Sequence, residues 1–180
     1  MNEPIGHIDF RPIGLVHSPL REPAGAPIQS VAAKNVAGVV EVYPSFAAGL
    51  KDVEGFSHLI LLYHLHLSRR FRLRVTPFLD STEHGVFSTR SPSRPNPIGM
   101  SVVEVLGVTG RMIRVRGLDV VDGTPLLDIK PYVPAFDAIR ASRVGWYAGR
   151  IAGARIRNIK ADGRFVRSAQ RLIRSSRSRE

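Results

Sequence analysis

The stretch of residues 101–129, SVVEVLGVTGRMIRVRGLDVVDGTPLLDI, decides the fold. It reads as four short apolar runs, at residues 101–108, 112–115, 118–121 and 126–129, separated by turn residues at intervals too short for helices. Gly110-Arg111 reads as a hairpin loop. Asp122-Gly123-Thr124-Pro125 reads as a tight turn, because glycine reaches positive φ without strain and proline presets its own φ. Working outward, residues 8–10 and 13–16 form an early run interrupted by Pro12, which suggests an edge or a bulge. Residues 38–43, 58–66, 71–75 and 85–89 add more strands. Residues 58–66 are apolar at both parities and predict a central strand, whereas residues 71–75 alternate and predict one wet face. A single helix is expected among them, with Ser45 as N-cap, Phe46, Leu50 and Val53 at i, i+4 and i+7, and Gly55 as its stop. Many short strands with Gly/Pro turns and one or two short helices predict a mainly β barrel or sandwich.

The composition is that of one globular domain: 180 residues, 43% hydrophobic and 23% charged. The charge is less ordinary, at a formal +11, and it is unevenly placed. Residues 1–137 carry 14 basic and 13 acidic side chains, whereas residues 138–180 carry 12 basic and 2 acidic. Such asymmetry points to a polyanionic partner, nucleic acid first, the alternative being a solvated basic tail. Within that tail, residues 153–162 read as a last strand. Residues 165–174 read as a short helix with Arg167, Arg171 and Arg174 along one face, followed by a disordered end. The absence of cysteine excludes disulfides, cysteine–zinc sites, iron–sulfur clusters and thiol nucleophiles. No signal peptide is visible and the longest apolar run, residues 59–63, is too short to span a bilayer, so a cytoplasmic protein is expected.

Three clusters could carry chemistry. In residues 89–99, TRSPSRPNPIG, three prolines hold the chain in one extended path. That makes Arg90, Arg94 and Asn96 parts of a pre-ordered polar surface, or else the loop is a plain crossover. Residues 118–132, LDVVDGTPLLDIKPY, place three carboxylates and a lysine in an otherwise apolar strand–turn–strand, and buried charge must be paired. The structural alternative has Asp122 capping its own turn and Asp128 pairing with Lys130. Thirdly, His58, His64 and His66 share parity, so one strand would face all three to one side, an arrangement that can ligate zinc. A hydrogen-bonded core role is the commoner use of such histidines. No Gly-x-Ser-x-Gly element supports a serine hydrolase, and no glycine-rich loop supports a P-loop or Rossmann site.

Residues 90–101 and 119–132 together resemble the paired signatures of the TsaA-like (TrmO, YaeB) family. Phe56-Ser57-His58-Leu59 and Ile13-Gly14-Leu15-Val16-His17-Ser18-Pro19 are similar to it as well. The likeness spans roughly residues 10–137. It implies a single antiparallel β-barrel domain over residues 1–137, with residues 138–180 as a basic C-terminal extension. It further implies an S-adenosylmethionine-dependent methyltransferase, usually dimeric and using no metal, that methylates N6 of threonylcarbamoyladenosine beside the anticodon of tRNA. By that resemblance the cofactor contacts Pro27, Ile28, Gln29, His66, Leu67, Arg90, Met100, Asp122, Gly123, Thr124 and Pro125. The chain departs from the family at Ile28, where bacterial members often carry arginine. It departs again in the basic segment that stands in place of a larger C-terminal domain.

For the reaction, Asp122 and Asp128 are the candidate bases for a ureido N6–H, with Lys130 and Tyr132 as groups that could orient the modified base. Arg94, Arg167, Arg171 and Arg174 are the candidate RNA contacts. Two other readings stand beside this one. One keeps the barrel and cofactor but gives it a small-molecule or other acceptor; the other is a histidine–metal enzyme or a cofactor-sensing module without turnover.

Overall fold

A computed structural model describes residues 6–22, 33, 35–140, 143–150, 170–171 and 173–174. Its strands are β1 (Gly14–His17), β2 (Ala37–Val42), β3 (His58–His64), β4 (Arg74–Val75), β5 (His84–Gly85), β6 (Ile98–Thr109), β7 (Met112–Arg116) and β8 (Thr124–Pro131). Six of them close into a barrel in the order β1-β2-β7-β6-β3-β8, every pair antiparallel, with β8 returning to β1. The fold is thus mainly β, as its turns predict. The Gly110-Arg111 hairpin joins β6 to β7 directly, Thr109 facing Met112, with Gly110 at φ 51°.

β3 is central, paired along its length with β6 on one edge and β8 on the other. Leu59, Leu61 and Tyr63 point into the barrel and are buried, while Ile60 and Leu62 lie half-buried outside. The interior is completed by Val16, Val40, Val103, Ile113, Val115 and Leu126, all fully buried. Each such side chain contributes roughly 1.5–3 kcal/mol by leaving water, the term that offsets ordering so many short strands.

Several expected elements differ. Residues 8–10 carry no strand. Of the run at 71–75 only Arg74–Val75 is strand, and it pairs with His84–Gly85 in a separate two-stranded sheet. The chain then turns into a 3-10 helix at Val86–Ser88 instead of continuing as strand. Residues 118–121 alternate as read, with Leu118 and Val120 buried, but they join no ladder. The Gly117 and Leu118 amides both donate to the Val36 carbonyl, which draws the chain across the barrel end. The helix expected from Ser45 is two 3-10 pieces, Pro44–Leu50 and Val53–Gly55. Pro44 starts the first turn at the position where its missing N–H costs nothing, so Tyr43 and not Ser45 is the cap. Asp52, at φ 67°, breaks the run before Val53. The expectations at residues 153–162, at most of 165–174 and at 175–180 fall outside the described residues.

A polar cluster on the barrel exterior ties β1 to β2. Glu41 sits 2.9 Å from His17 Nε2 and accepts from Arg111 at 2.5 Å, and Arg111 also donates to the Val42 carbonyl. Burial alone would push the Glu41 carboxyl up, but the His17 and Arg111 hydrogen bonds and charges outweigh it and hold the group below its ordinary value. A depressed carboxylate contributes stability that is complete above its unfolded value of about 4.5 and is lost as pH falls through the folded value. Glu41→Gln is expected to lower Tm at neutral pH, by about 2–4 °C for each kcal/mol lost. The variant's Tm should then fall less than the wild type's between pH 5 and pH 3. Equal acid sensitivity of the two in a thermal-melt series would show that Glu41 carries no linked stability.

Candidate functional site

Strand register brings eight of the sequence-predicted residues to one rim of the barrel. His64 faces Ile98, Tyr63 faces both Gly99 and Leu126, and Val16 faces Thr124. The C-terminal ends of β1 and β3 and the N-terminal ends of β6 and β8 therefore meet there, in the lateral order β6-β3-β8-β1. His66 and Leu67 follow β3 directly, and Arg90 lies on the loop entering β6. Met100 is on β6, and Asp122 and Gly123 form the turn entering β8, whose first residues are Thr124 and Pro125.

The Asp122 turn is stitched to the end of β1. The Ser18 amide donates to Asp122 Oδ1 at 3.1 Å and Arg21 donates to Oδ2 at 2.6 Å. The Asp122 amide reaches the Leu20 carbonyl and the Gly123 amide the Val16 carbonyl, at 2.7 and 2.9 Å. Thr124 is buried and its hydroxyl donates to the Val121 carbonyl at 2.6 Å. Gly123 turns at φ 75° with open space where a side chain would stand, so its backbone is presented bare at the rim. The Asp122 carboxylate therefore does not cap its own turn, the structural alternative read from the sequence; it reaches across to the Ser18 amide and Arg21, and those bonds fix it at the rim.

Beneath the rim runs a buried polar chain. Ser101 donates to Asp119. With its proton so committed, Ser101 accepts from the Tyr63 hydroxyl 2.9 Å away. Burial and the Asp119 charge hold the Tyr63 phenol well above its usual value, so it stays a donor. The ring lies flat over Gly99, where a Cβ would stand 2.1 Å from it. Arg90 is close enough to act electrostatically on the same phenol. Ser101, Tyr63 and Ser18 were given no role from the sequence; Ser18 and Ser101 lay inside the motifs of the resemblance, and Tyr63 was a polar group within an apolar run.

The proline-rich loop is cross-linked along its length. Thr89 Oγ1 donates to the Val86 carbonyl, Ser68 Oγ to the Pro92 carbonyl, and the Leu65 amide to the Pro97 carbonyl. Arg94 is committed inward, one guanidinium nitrogen bonding the carbonyls of Val86 and Thr89. Arg90 stays exposed. Leu67, Ile98 and Met100 are exposed apolar side chains on the rim.

The remaining candidates lie elsewhere. A bulge in β8 pairs Leu62 with Asp128 and Tyr63 with Leu126, skipping Leu127. Leu126 before it and Ile129 past it face the core, while Asp128 and Lys130 turn outward and pair at 2.7 Å. Tyr132, whose amide bonds the His58 carbonyl, is eight residues from Thr124. At about 3.3 Å per residue that puts it some ~26 Å along the strand, at the opposite end of the barrel. Asp128 is not at that end: it shares a row with Met100, both facing Leu62 of β3, and it borders a largely apolar cavity of about 560 Å³ with Phe46 and Leu59. Strand β3 ends at His64, and the His66 amide folds back onto the His64 carbonyl, so the three histidines do not share one strand face. Among the described residues no group of three or more His, Asp or Glu is placed to hold a metal. Arg171 and Arg174 are exposed in a helical stretch. Pro27, Ile28, Gln29 and Arg167 lie outside the described residues.

Comparisons with known proteins identify the family. Residues 15–138 match the family described as the tRNA-methyltransferase O N-terminal domain. A probable S-adenosyl-L-methionine-binding protein of Pyrococcus abyssi is 51% identical over 158 residues, 88% of this chain and 85% of that protein. The tRNA (adenine(37)-N6)-methyltransferase of Escherichia coli is 37% identical over 140 residues, 72% of this chain and 60% of the enzyme. A crystal structure of TrmO from Pseudomonas aeruginosa superposes with a TM-score of 0.66 at 37% identity, over 79% of this chain and 62% of that one. The chain thus spans under two thirds of those two bacterial proteins but most of the archaeal relative. With its barrel, its rim and both long motifs inside the matched span, the chain belongs to the TsaA-like (TrmO) family.

Proposed function

We propose that this protein is an S-adenosylmethionine-dependent methyltransferase whose acceptor is N6 of threonylcarbamoyladenosine next to a tRNA anticodon. The observation that carries the reading is the convergence of His66, Leu67, Arg90, Met100 and the Asp122-Gly123-Thr124-Pro125 turn on one rim. Those residues suit the cofactor chemically. Exposed Leu67 and Met100 offer apolar surface, bare backbone at Gly123 offers close approach, and Arg90 offers a cation for a carboxylate. When bound, S-adenosylmethionine supplies a sulfonium methyl group for an in-line displacement, so positioning is the main demand on the protein.

The chain's own residues meet that demand by rigidity. Ser18 and Arg21 fix Asp122, which fixes the turn. The Tyr63–Ser101–Asp119 chain keeps its protons on Tyr63 and Ser101 and braces the floor beneath Arg90. Asp122 is the carboxylate this reading keeps in the rim turn; Asp128, level with Met100 across Leu62, is paired with Lys130, and Lys130 and Tyr132 lie farther along β8. A methylation assay on tRNA with and without the threonylcarbamoyl group tests the proposal, and transfer only to the modified tRNA is expected. Asp122→Asn should raise the cofactor KM at least several-fold, since it weakens the Arg21 pair. Unchanged KM and turnover would take Asp122 out of the site.

Binding of tRNA is assigned to the basic extension, with Arg167, Arg171 and Arg174 meeting phosphates. Affinity should then fall steeply with salt. Removing residues 164–180 should flatten that dependence and weaken tRNA binding while leaving cofactor affinity unchanged; an intact salt slope would reduce the extension to a solvated end.

The same reading takes the protein as a homodimer. Phe71, Leu73 and Phe78 stand 59%, 60% and 78% exposed on the excursion between β3 and β6, three large apolar side chains that a subunit contact would cover. Sedimentation at micromolar concentration should give a dimer, converted to monomer by Leu73→Glu; a wild-type monomer would refute it.

A further inference from the structure

The extension begins by docking. Trp146, on the short 3-10 helix Gly145–Tyr147, donates its indole N–H to the Ser88 carbonyl at 2.7 Å and stacks on His84 with ring centroids 4.5 Å apart. Tyr147 stacks on Trp146 at 3.9 Å. Arg150 then reaches Asp80 at 3.3 Å, and Asp80 also holds His84 at 3.0 Å. The His84 hydrogen bond, ahead of the Arg150 charge and against some burial, keeps the Asp80 carboxyl below its ordinary value. These contacts press residues 143–150 against the loop at 86–90 and leave an open pocket of about 410 Å³ between them.

The lining of that pocket is unusual. It contains Phe87, Trp146 and Tyr147, the guanidinium groups of Arg90 and Arg143, and no carboxylate. Phe87 is 74% exposed, with the Arg94 guanidinium 5.8 Å from its ring centroid, so a large apolar ring is held out toward solvent beside cations. Nothing in the cofactor rim uses Phe87, Arg143 or Trp146. A flat ring for stacking next to two arginines that, among the described residues, face no carboxylate is complementary to a flat, anionic ligand. Nucleotides have that character: every base offers a π-face, and its phosphate suits arginine.

We propose that this pocket takes an unstacked nucleotide of the RNA, its base stacked on Phe87 and its phosphate between Arg90 and Arg143. The inference rests on the tRNA reading above and adds to it a recognition site next to the rim, built by the first residues of the extension. Arg90 lies at the junction of the two sites, which would place a bound nucleotide beside the cofactor.

The chain's one tryptophan is Trp146, so its fluorescence reports on the pocket in the full-length protein. Bulk tRNA and a short oligoadenylate are expected to quench it, and S-adenosylmethionine alone is expected not to. Phe87→Leu keeps apolar bulk but removes the ring, and it should weaken RNA binding about ten-fold, in the range measured for single base–aromatic stacks. Arg143→Ala should weaken it to a lesser degree and lower the salt slope. Cofactor affinity and the Tm should be unchanged in both variants. Wild-type RNA affinity in both variants overturns the proposal, as does quenching by the cofactor alone. Methylation of tRNA at the wild-type rate and KM by both variants removes the pocket but leaves the methyltransferase reading standing. RNA-dependent quenching with no methyl transfer to any tRNA does the reverse.

Discussion

Everything at the rim depends on β3 being paired on both of its edges. β6 and β8 are held in register against it, and each contributes its N-terminal residues to the same end. A one-residue slip in either pairing would turn every side chain of that strand to the opposite face. It would expel Leu61 or Leu126 from the core, so burial of these residues enforces the geometry of the rim. The site is therefore as well defined as the hydrophobic core that lies directly beneath it.

The β8 bulge at Leu127 divides that strand into two functional halves. Before it, Thr124 and Leu126 face inward and continue the turn that Asp122 ties to the end of β1. After it, Asp128 and Lys130 face outward and neutralise each other. Without the bulge Asp128 would follow Leu126 into the barrel, an uncompensated carboxylate in an apolar interior, which costs several kcal/mol. The extra residue thus lets one short segment carry both a buried anchor and an exposed ion pair.

The same bulge explains what the sequence could and could not reveal. Alternation and turn residues located β2, β3, β6, β7 and β8 within a residue or a few of their observed bounds, because each strand buries one face. They misjudged residues 118–121, where the alternation is real but the backbone bonds go to Val36 instead of to a neighbouring strand. Periodicity reports burial, not pairing. The cofactor-rim residues came from motif resemblance, and register then gave them a common location. Asp128, Lys130 and Tyr132 were grouped with Asp122 because they are close in sequence, yet an extended strand separates residues faster than any other structure. The Tyr63–Ser101–Asp119 chain was invisible because its partners are 18 and 38 residues apart.

Docking of residues 143–150 also changes the meaning of the charge. Counted along the chain, the surplus starts at residue 138 and suggests a uniform cationic tail. In space its first part is differentiated: Arg150 is opposed by Asp80, whereas Arg143 borders a pocket with no acid in its lining. Trp146 is the hinge of this difference, since its indole is bonded to Ser88 and stacked on His84, on the loop that leads to Arg90. Residues 143–150 are thus held at a fixed point beside the loop that carries Arg90. An anion meeting Arg143 there costs less ordering entropy than one meeting a free side chain on an undocked segment. Of the described basic residues of this segment, one is thus paired with an acid of the body and another stands beside the loop that carries Arg90.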